Sequence, residues 1–247
     1  MADRRIVADR CVEVEFYRSL LKGFQQGDLI IDVGANHGYK TDIFLRLGAS
    51  VVAVEPDEDN QRILKEKFLS YRARKKAVVI IGKALDSRVG VDTMWIDAPG
   101  SAKNTLSKKW VETLRLDEKR FGHVLEFGHQ KTVETVTLDQ VIATYGIPAF
   151  VKIDVEGYEP NVLRGLQQSV PYLSFEVNLP EFKPEGIECV ELLGRLDANG
   201  KFNYAASCNK GLALERWLEA QEFLHALETC AEKSIEIFWK TPRSVGR

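Results

Sequence analysis

Apolar residues along this chain fall into short blocks that switch between two periods. Residues 13–24 put Phe16, Tyr17, Leu20, Leu21 and Phe24 at helical spacing, and residues 39–47 repeat this with Ile43, Phe44 and Leu47 ahead of Gly48, a suitable helix stop. Leu29–Ile31 is instead a short apolar run closed by Asp32-Val33-Gly34, which predicts a buried strand. The same reading predicts further strands at 51–54, 77–81, 149–153, 173–177, 202–206 and 234–240, with half-wet strands at 91–96 and 131–137. Helices are expected over 58–72, 105–119, 138–145, from Pro160 onward, over 184–198, and as one long amphipathic helix over 212–230. Strands alternating with helices predict an α/β fold, a mostly parallel sheet covered on both faces. With no repeat and no Pro- or Gly-rich linker, residues 1–247 read as one domain. Residues 1–26 form a helical lead-in, and 97–130 and 207–230 are candidate substrate-binding or lid insertions.

Composition narrows the classes. At 45% hydrophobic and 28% charged residues the chain is an ordinary globular sequence, which excludes pervasive disorder. Basic residues number 34 and acidic ones 36, so a nucleic-acid binder held by bulk phosphate attraction is not expected. No run reaches the roughly 18 to 20 apolar residues of a membrane helix, and the start (MADRRIVADR) lacks a signal-peptide core, so the expected address is the cytoplasm. Cys11, Cys189, Cys208 and Cys230 are far apart and read as inert thiols.

Three segments carry chemistry. DVGANHGYKT (32–41) joins a strand to a helix, where glycines allow close ligand approach and the helix offers unpaired N–H groups. Gly34 and Gly38 give G-x-x-x-G rather than the dinucleotide pattern G-x-G-x-x-G. Asp32 at the mouth would repel a pyrophosphate but suit a ligand with an ammonium group. A plain strand–helix turn is the alternative. Glu55 closes the next strand in VVAVEPDEDN, 21 residues after Gly34, where a carboxylate can accept both hydroxyls of an adenosine ribose; a solvated strand-end acid is the alternative. In FVKIDVEGYEPNVLRGL, Lys152, Asp154 and Glu156 alternate along a strand and its exit, bordering the crevice where α/β sheets bind ligands, or forming a structural ion-paired trio.

Taken in order, DVGANHGYKT, VEPDEDN, IIGKALDSRVG, VTLDQVI, VKIDVEGYEPNVLRGL and LSFEVN resemble the FkbM family of S-adenosylmethionine-dependent methyltransferases over about residues 27–180. The resemblance implies the class I methyltransferase (Rossmann-like) sheet of seven strands with the last antiparallel, matching the strands counted near 29, 51, 77, 150, 173, 202 and 234. It implies that Asp32, Gly34, Asn36 and Gly38 hold the methionine half of the cofactor, with Thr41 opening the helix beneath. Glu55 would bind the ribose, and Pro56 would shape the pocket. Ala84 and Leu85 would flank the adenine, helped by Asp86. Lys152, Asp154 and Glu156 would face the transferable methyl. The 212–230 helix has no counterpart in the common fold, which leaves lid, dimer surface or packing as its roles.

The implied reaction is O-methylation of a hydroxyl on a sugar, glycan or natural-product acceptor, without a nucleic-acid or membrane partner. The chain acts alone or as a homo-oligomer. Asp154 or Glu156 is the candidate base, with Lys152 setting its charge. A divalent metal held by Asp154, Glu176 and Asn178 is a variant of this scheme. His37 reads as a backbone contact. His123 and His129 match no zinc spacing and serve at most as acceptor-side bases. Trp110 with Lys108 and Lys109 reads as a rim, in contact with substrate or with solvent. The run Arg72–Lys76 reads as a wet helix end. Competing classes are a nicotinamide-dependent oxidoreductase, which Glu55 would also suit, and a non-catalytic cofactor-binding protein.

Overall fold

The computed structural model describes residues 2–74, 77–116 and 125–242. In chain order its elements begin with α1 (Ala2–Leu20), β1 (Leu29–Val33), α2 (Tyr39–Leu47), β2 (Ser50–Val54), α3 (Glu58–Lys67), α4 (Leu69–Arg74), β3 (Val78–Ile81) and β4 (Ala84–Leu85). They continue with β5 (Gly90–Ile96), α5 (Lys108–Leu116), β6 (His129–Val136), α6 (Leu138–Tyr145), β7 (Phe150–Ile153) and α7 (Glu159–Arg164). The last are β8 (Tyr172–Asn178), α8 (Lys183–Leu196), β9 (Lys201–Ala205), α9 (Ala220–Glu228) and β10 (Ser234–Lys240).

Seven strands form the main sheet in the order β3-β2-β1-β7-β8-β10-β9. All its pairs are parallel except those of β10, which runs antiparallel between β8 and β9. The strand set is the seven read from the apolar runs. Period-two alternation splits each strand between two cores. Ile31, Val33, Val52, Val54, Val151 and Ile153 pack in a cluster with α5 to α9, whereas Ile30, Val51, Ala53 and Phe150 pack with α1 to α3. The half-wet strands β5 and β6 pair antiparallel and, with β4, make a separate three-stranded sheet that the sequence pattern did not reveal.

Helix ends follow the local chemistry. Gly48 closes α2 at φ 102 and donates to Leu45 O, as the stop signal implied. Asp57 caps α3 by accepting from Asp59 and Asn60 N–H. The single helix expected at 58–72 breaks at Phe68, which is buried with Leu64 against Gly38; a Cβ on Gly38 would lie 2.5 Å from the Phe68 ring. The expected 105–119 helix begins only at Lys108, and its predicted end falls outside the described residues.

The long 212–230 helix is a correction. Only Ala220–Glu228 is helical. The segment before it runs extended beside the sheet edge: Leu218 exchanges both backbone bonds with Phe202 at 2.7 and 2.9 Å, and Ala213 N–H donates to Tyr204 O. The buried Asn203 side chain donates to Leu214 O at 2.9 Å and accepts from Leu214 N–H at 3.1 Å. Satisfying the open edge of β9 outweighs the helical spacing of Leu214, Trp217 and Leu218. Among the described residues no helix is long and apolar enough to cross a membrane.

Candidate active site

Two clefts open at the carboxyl edge of the main sheet, and Asp154 is common to both. The first gathers Gly34 and Asn36 from the β1 turn, Glu55 and Pro56 from the β2 exit, Ala84 and Leu85 from β4, and Asp154 and Glu156 from the β7 exit. Eight of the sequence-predicted site residues thus meet in one place. Val54, Met94 and Leu106 add apolar wall.

The β1 turn works through backbone shape. Gly34 (φ 77), Asn36 (φ 46) and Gly38 (φ 72) are all left-handed, a conformation glycine and asparagine tolerate. A Cβ on Gly34 would sit 1.8 Å from the Asp154 carbonyl oxygen, so the β1 and β7 exits touch backbone to backbone. Glu55 is buried at the cleft wall; one carboxylate oxygen accepts from Asn36 N–H at 2.7 Å and the other from Asp57 N–H at 2.9 Å. Burial pushes its pKa up to about 7, partly offset by those two amides.

Three predicted residues lie behind this cleft rather than on it. Asp32 is buried and accepts from the Thr41 hydroxyl at 2.6 Å. Burial raises its pKa, opposed by Lys152 and the Thr41 hydrogen bond. Gly38 serves close packing against Phe68 and Leu64.

The β7 exit carries backbone strain. Glu156 adopts φ 55, a non-glycine residue in the left-handed region, costing on the order of 1–3 kcal/mol. Its carbonyl accepts from the Thr105 hydroxyl at 2.9 Å. Glu159, which the sequence reading passed over, is buried and accepts Val155 N–H (3.0 Å) and Gly157 N–H (3.3 Å) on a single oxygen. Burial pushes Glu159 up to about 8. Burial also holds Glu156 well above the usual carboxylate range, reinforced by Asp154, Glu176 and Glu159. Tyr158 lines the first cleft and its hydroxyl donates to Asp92 (2.8 Å) and Asp86 (3.2 Å), so Asp86 supports the wall through a tyrosine.

Strand register builds the second cleft. Asp32 faces Lys152, which faces Ser174, and in the next row Glu176 faces Glu236. All point to the α1–α2 side. Lys152 lines this cleft rather than the first, and its buried ammonium donates to Asp154 at 2.7 Å. Burial would lower the Lys152 pKa, but Asp154, Glu236 and Asp32 outweigh it and hold the group charged. Burial would raise Asp154, yet Lys152 brings its carboxyl below the ordinary value. Glu176, bonded to Ser234 (2.7 Å) and within hydrogen-bond reach of Asp154, is pushed up to about 7 by burial and then by Asp154. Lys40 and Glu13 complete the cleft with an ion pair at 2.6 Å. No local signal marks Lys40, Glu13 or Glu236, because only strand pairing and helix docking unite them.

The remaining candidates fall elsewhere. Trp110 is a correction: it is buried against Phe182 (centroids 4.9 Å apart) rather than on a rim, and Lys109 pairs with Glu185 at 2.6 Å. His37 is exposed, and its backbone carbonyl accepts from Lys67, in keeping with a backbone role. His129 is exposed at the start of β6 and lines neither cleft; His123 and the Lys75–Lys76 part of the basic run lie outside the described residues. The cysteines are free thiols. Among the described residues no group of three or more His, Cys, Asp or Glu is arranged to hold a metal ion.

A model of the FkbM methyltransferase domain matches residues 32–220. The hexuronic acid methyltransferase AglP of Haloferax volcanii is 28% identical over 167 residues, covering 67% of this chain. The chain spans 61% of that relative's length. The solved methyltransferase FkbM of Methylobacillus flagellatus KT superposes with a TM-score of 0.56 at 15% identity, over 92% of this chain and 47% of its own, a likeness of fold. With the glycine turn and the β7 exit both inside a matched span that covers more than half of the sequence, the chain belongs to the FkbM methyltransferase family.

Proposed function

We propose that the protein transfers a methyl group from S-adenosylmethionine to a hydroxyl of a sugar or glycan. The observation that carries this reading is Asp154, the residue shared by the cleft that gathers eight predicted site residues and a polar second cleft. The residues of the first cleft fit the cofactor. Each Glu55 oxygen takes one amide and keeps a lone pair for a ribose hydroxyl. Val54, Leu85, Met94 and Leu106 offer an apolar slot for a purine, and the buried Asn60 Oδ1 on the wall has no protein partner. Family membership and the sugar acid named for the Haloferax relative support a sugar acceptor.

When bound, S-adenosylmethionine supplies an electrophilic methyl group on a sulfonium. This chain's residues supply alignment and a base. Gly34 and Asn36 shape the turn that receives the amino-acid end, with Asp32 held behind it by Thr41. Asp154 takes the proton of the acceptor hydroxyl, and Lys152 fixes the orientation of its carboxylate. Glu156 keeps the β7 exit in its turned shape and borders the cofactor side.

The test is thermal unfolding with added ligand. S-adenosylhomocysteine at 100 times its dissociation constant should stabilise the fold by about 2.7 kcal/mol, whereas NADH should do nothing. Stabilisation by NADH alone would move the protein to the oxidoreductase class.

A further inference from the structure

We propose that the second cleft is the acceptor site and that it selects an uncharged, hydroxyl-bearing sugar face while excluding sugars that carry a carboxylate. The inference rests on the reading that the methyl donor fills the first cleft and that Asp154 marks the junction. Three observations carry it.

The first is position. The second cleft lies past the carboxyl ends of β7, β8 and β9, where α/β sheets bind their ligands, and it reaches the first cleft only at Asp154. The second is its lining. Apolar surface is limited to Ala205, Ala206 and Ile235, so a flat hydrophobic acceptor finds no wall, whereas a ring edged with hydroxyls finds acceptors on most sides.

The third is charge. Glu13, Asp154, Glu176 and Glu236 face the cleft against only Lys40 and Lys152. Both ammonium groups are already committed, Lys152 to Asp154 at 2.7 Å and Lys40 to Glu13 at 2.6 Å. Glu176 and Glu236 are direct cross-strand partners, and among the described residues no cation besides Lys40 and Lys152 lines the cleft. A carboxylate entering here would lose its water, meet no uncommitted cation among the described residues and sit beside like charges. A neutral hydroxyl donates to a carboxylate without that penalty. In this respect the chain departs from the hexuronic acid methyltransferase it resembles.

Glu13 sets the exclusion because it occupies the one ammonium that stands away from the base. Glu13→Gln keeps an oxygen for the Tyr39 hydroxyl, which donates to Glu13 at 2.8 Å, but releases the charge on Lys40. The experiment uses the full chain, S-adenosylmethionine labelled in its methyl group, and two matched panels. These are the methyl glycosides of glucose, galactose and mannose, and the corresponding uronates. The expected result is a kcat/KM at least tenfold higher for the best neutral glycoside than for the best uronate. In Glu13→Gln the ratio should shrink several-fold through a lower KM for uronates. Uronates methylated as well as or better than neutral sugars overturn the proposal, and so does an unchanged ratio in a folded Glu13→Gln protein. Failure to methylate either panel while S-adenosylhomocysteine still binds overturns the acceptor inference and leaves the donor reading intact. Failure to bind S-adenosylhomocysteine overturns the donor reading itself.

Discussion

The two clefts meet at one aspartate yet are built in opposite ways. The first is assembled from turns that directly follow strands: the glycine turn after β1, the Glu55-Pro56 exit of β2 and the Val155–Gly157 turn after β7. The second is assembled from side chains standing on one face of the sheet, brought together by register across β7, β8 and β10 and closed by α1 and α2. Contiguous turns tie the first cleft, the proposed donor side, to backbone geometry. Dispersed side chains leave the acceptor side adjustable by single substitutions. Perturbations should therefore act differently on the two.

The largest effect should come from Gly34→Ala. The new methyl would overlap the Asp154 carbonyl oxygen at 1.8 Å in a left-handed residue, so both clefts are lost together. Thermal unfolding should show a destabilisation of several kcal/mol, from strain and overpacking of about 1–3 kcal/mol each. A variant that melts and binds S-adenosylhomocysteine like the parent breaks the backbone-contact argument.

Asp154→Asn should separate the clefts. Turnover should fall about 100- to 10,000-fold, the usual worth of a general base, while calorimetry finds S-adenosylhomocysteine affinity within about threefold of the parent. Equal losses in both quantities would show that Asp154 serves the donor instead.

Glu55→Gln acts on the donor side alone. Losing a charged acceptor for two hydroxyls should weaken S-adenosylhomocysteine binding about 10- to 100-fold. The free Glu55 carboxyl sits near pH 7, and a ribose favours its ionised form, so binding releases a proton below that pH. Affinity in the parent should decline as pH drops below about 7, and this slope should vanish in Glu55→Gln. A parent affinity flat between pH 5.5 and 8 contradicts the role.

The smallest effect concerns stability. Glu55, Glu176 and Glu159 have folded pKa values raised to about 7, 7 and 8, above the unfolded carboxylate value. Their contribution is fully present below the unfolded value near 4.3 and is lost as pH rises through 7 to 8, so the ligand-free protein should melt higher at pH 5 than at pH 8. Glu159→Gln keeps an oxygen for the Val155 and Gly157 amides and should flatten the upper part of the curve. An unaltered pH dependence of the melting temperature in that variant removes Glu159 from the account.

The contrast also explains what the sequence could disclose. Buried parallel strands are short apolar runs, and a turn that holds a cofactor is contiguous, so the strands and residues such as Gly34, Glu55 and Asp154 were legible. Lys152 was legible as unusual, but its side of the sheet follows from alternation with Phe150 and Val151, which pack in opposite clusters. Glu13, Lys40 and Glu236 are ordinary surface-like residues until helix docking and strand pairing place them together. The 212–219 segment misled because its apolar spacing suits a helix, whereas the buried Asn203 and the edge of β9 recruit its backbone. Trp110 misled because neighbouring lysines looked like solvent, while Phe182 lay across the fold.

One feature of α1 has a wider bearing. Glu13 lines the second cleft and Tyr17 donates its hydroxyl to Glu236 at 3.3 Å beneath it, whereas no described residue of this helix lines the first cleft. On the proposed reading, α1 therefore bears on the choice of acceptor and not on the methyl donor, although both clefts keep Asp154 in common. If that reading holds, sequence drift in the leading helix would change which customers are served without disturbing the supply.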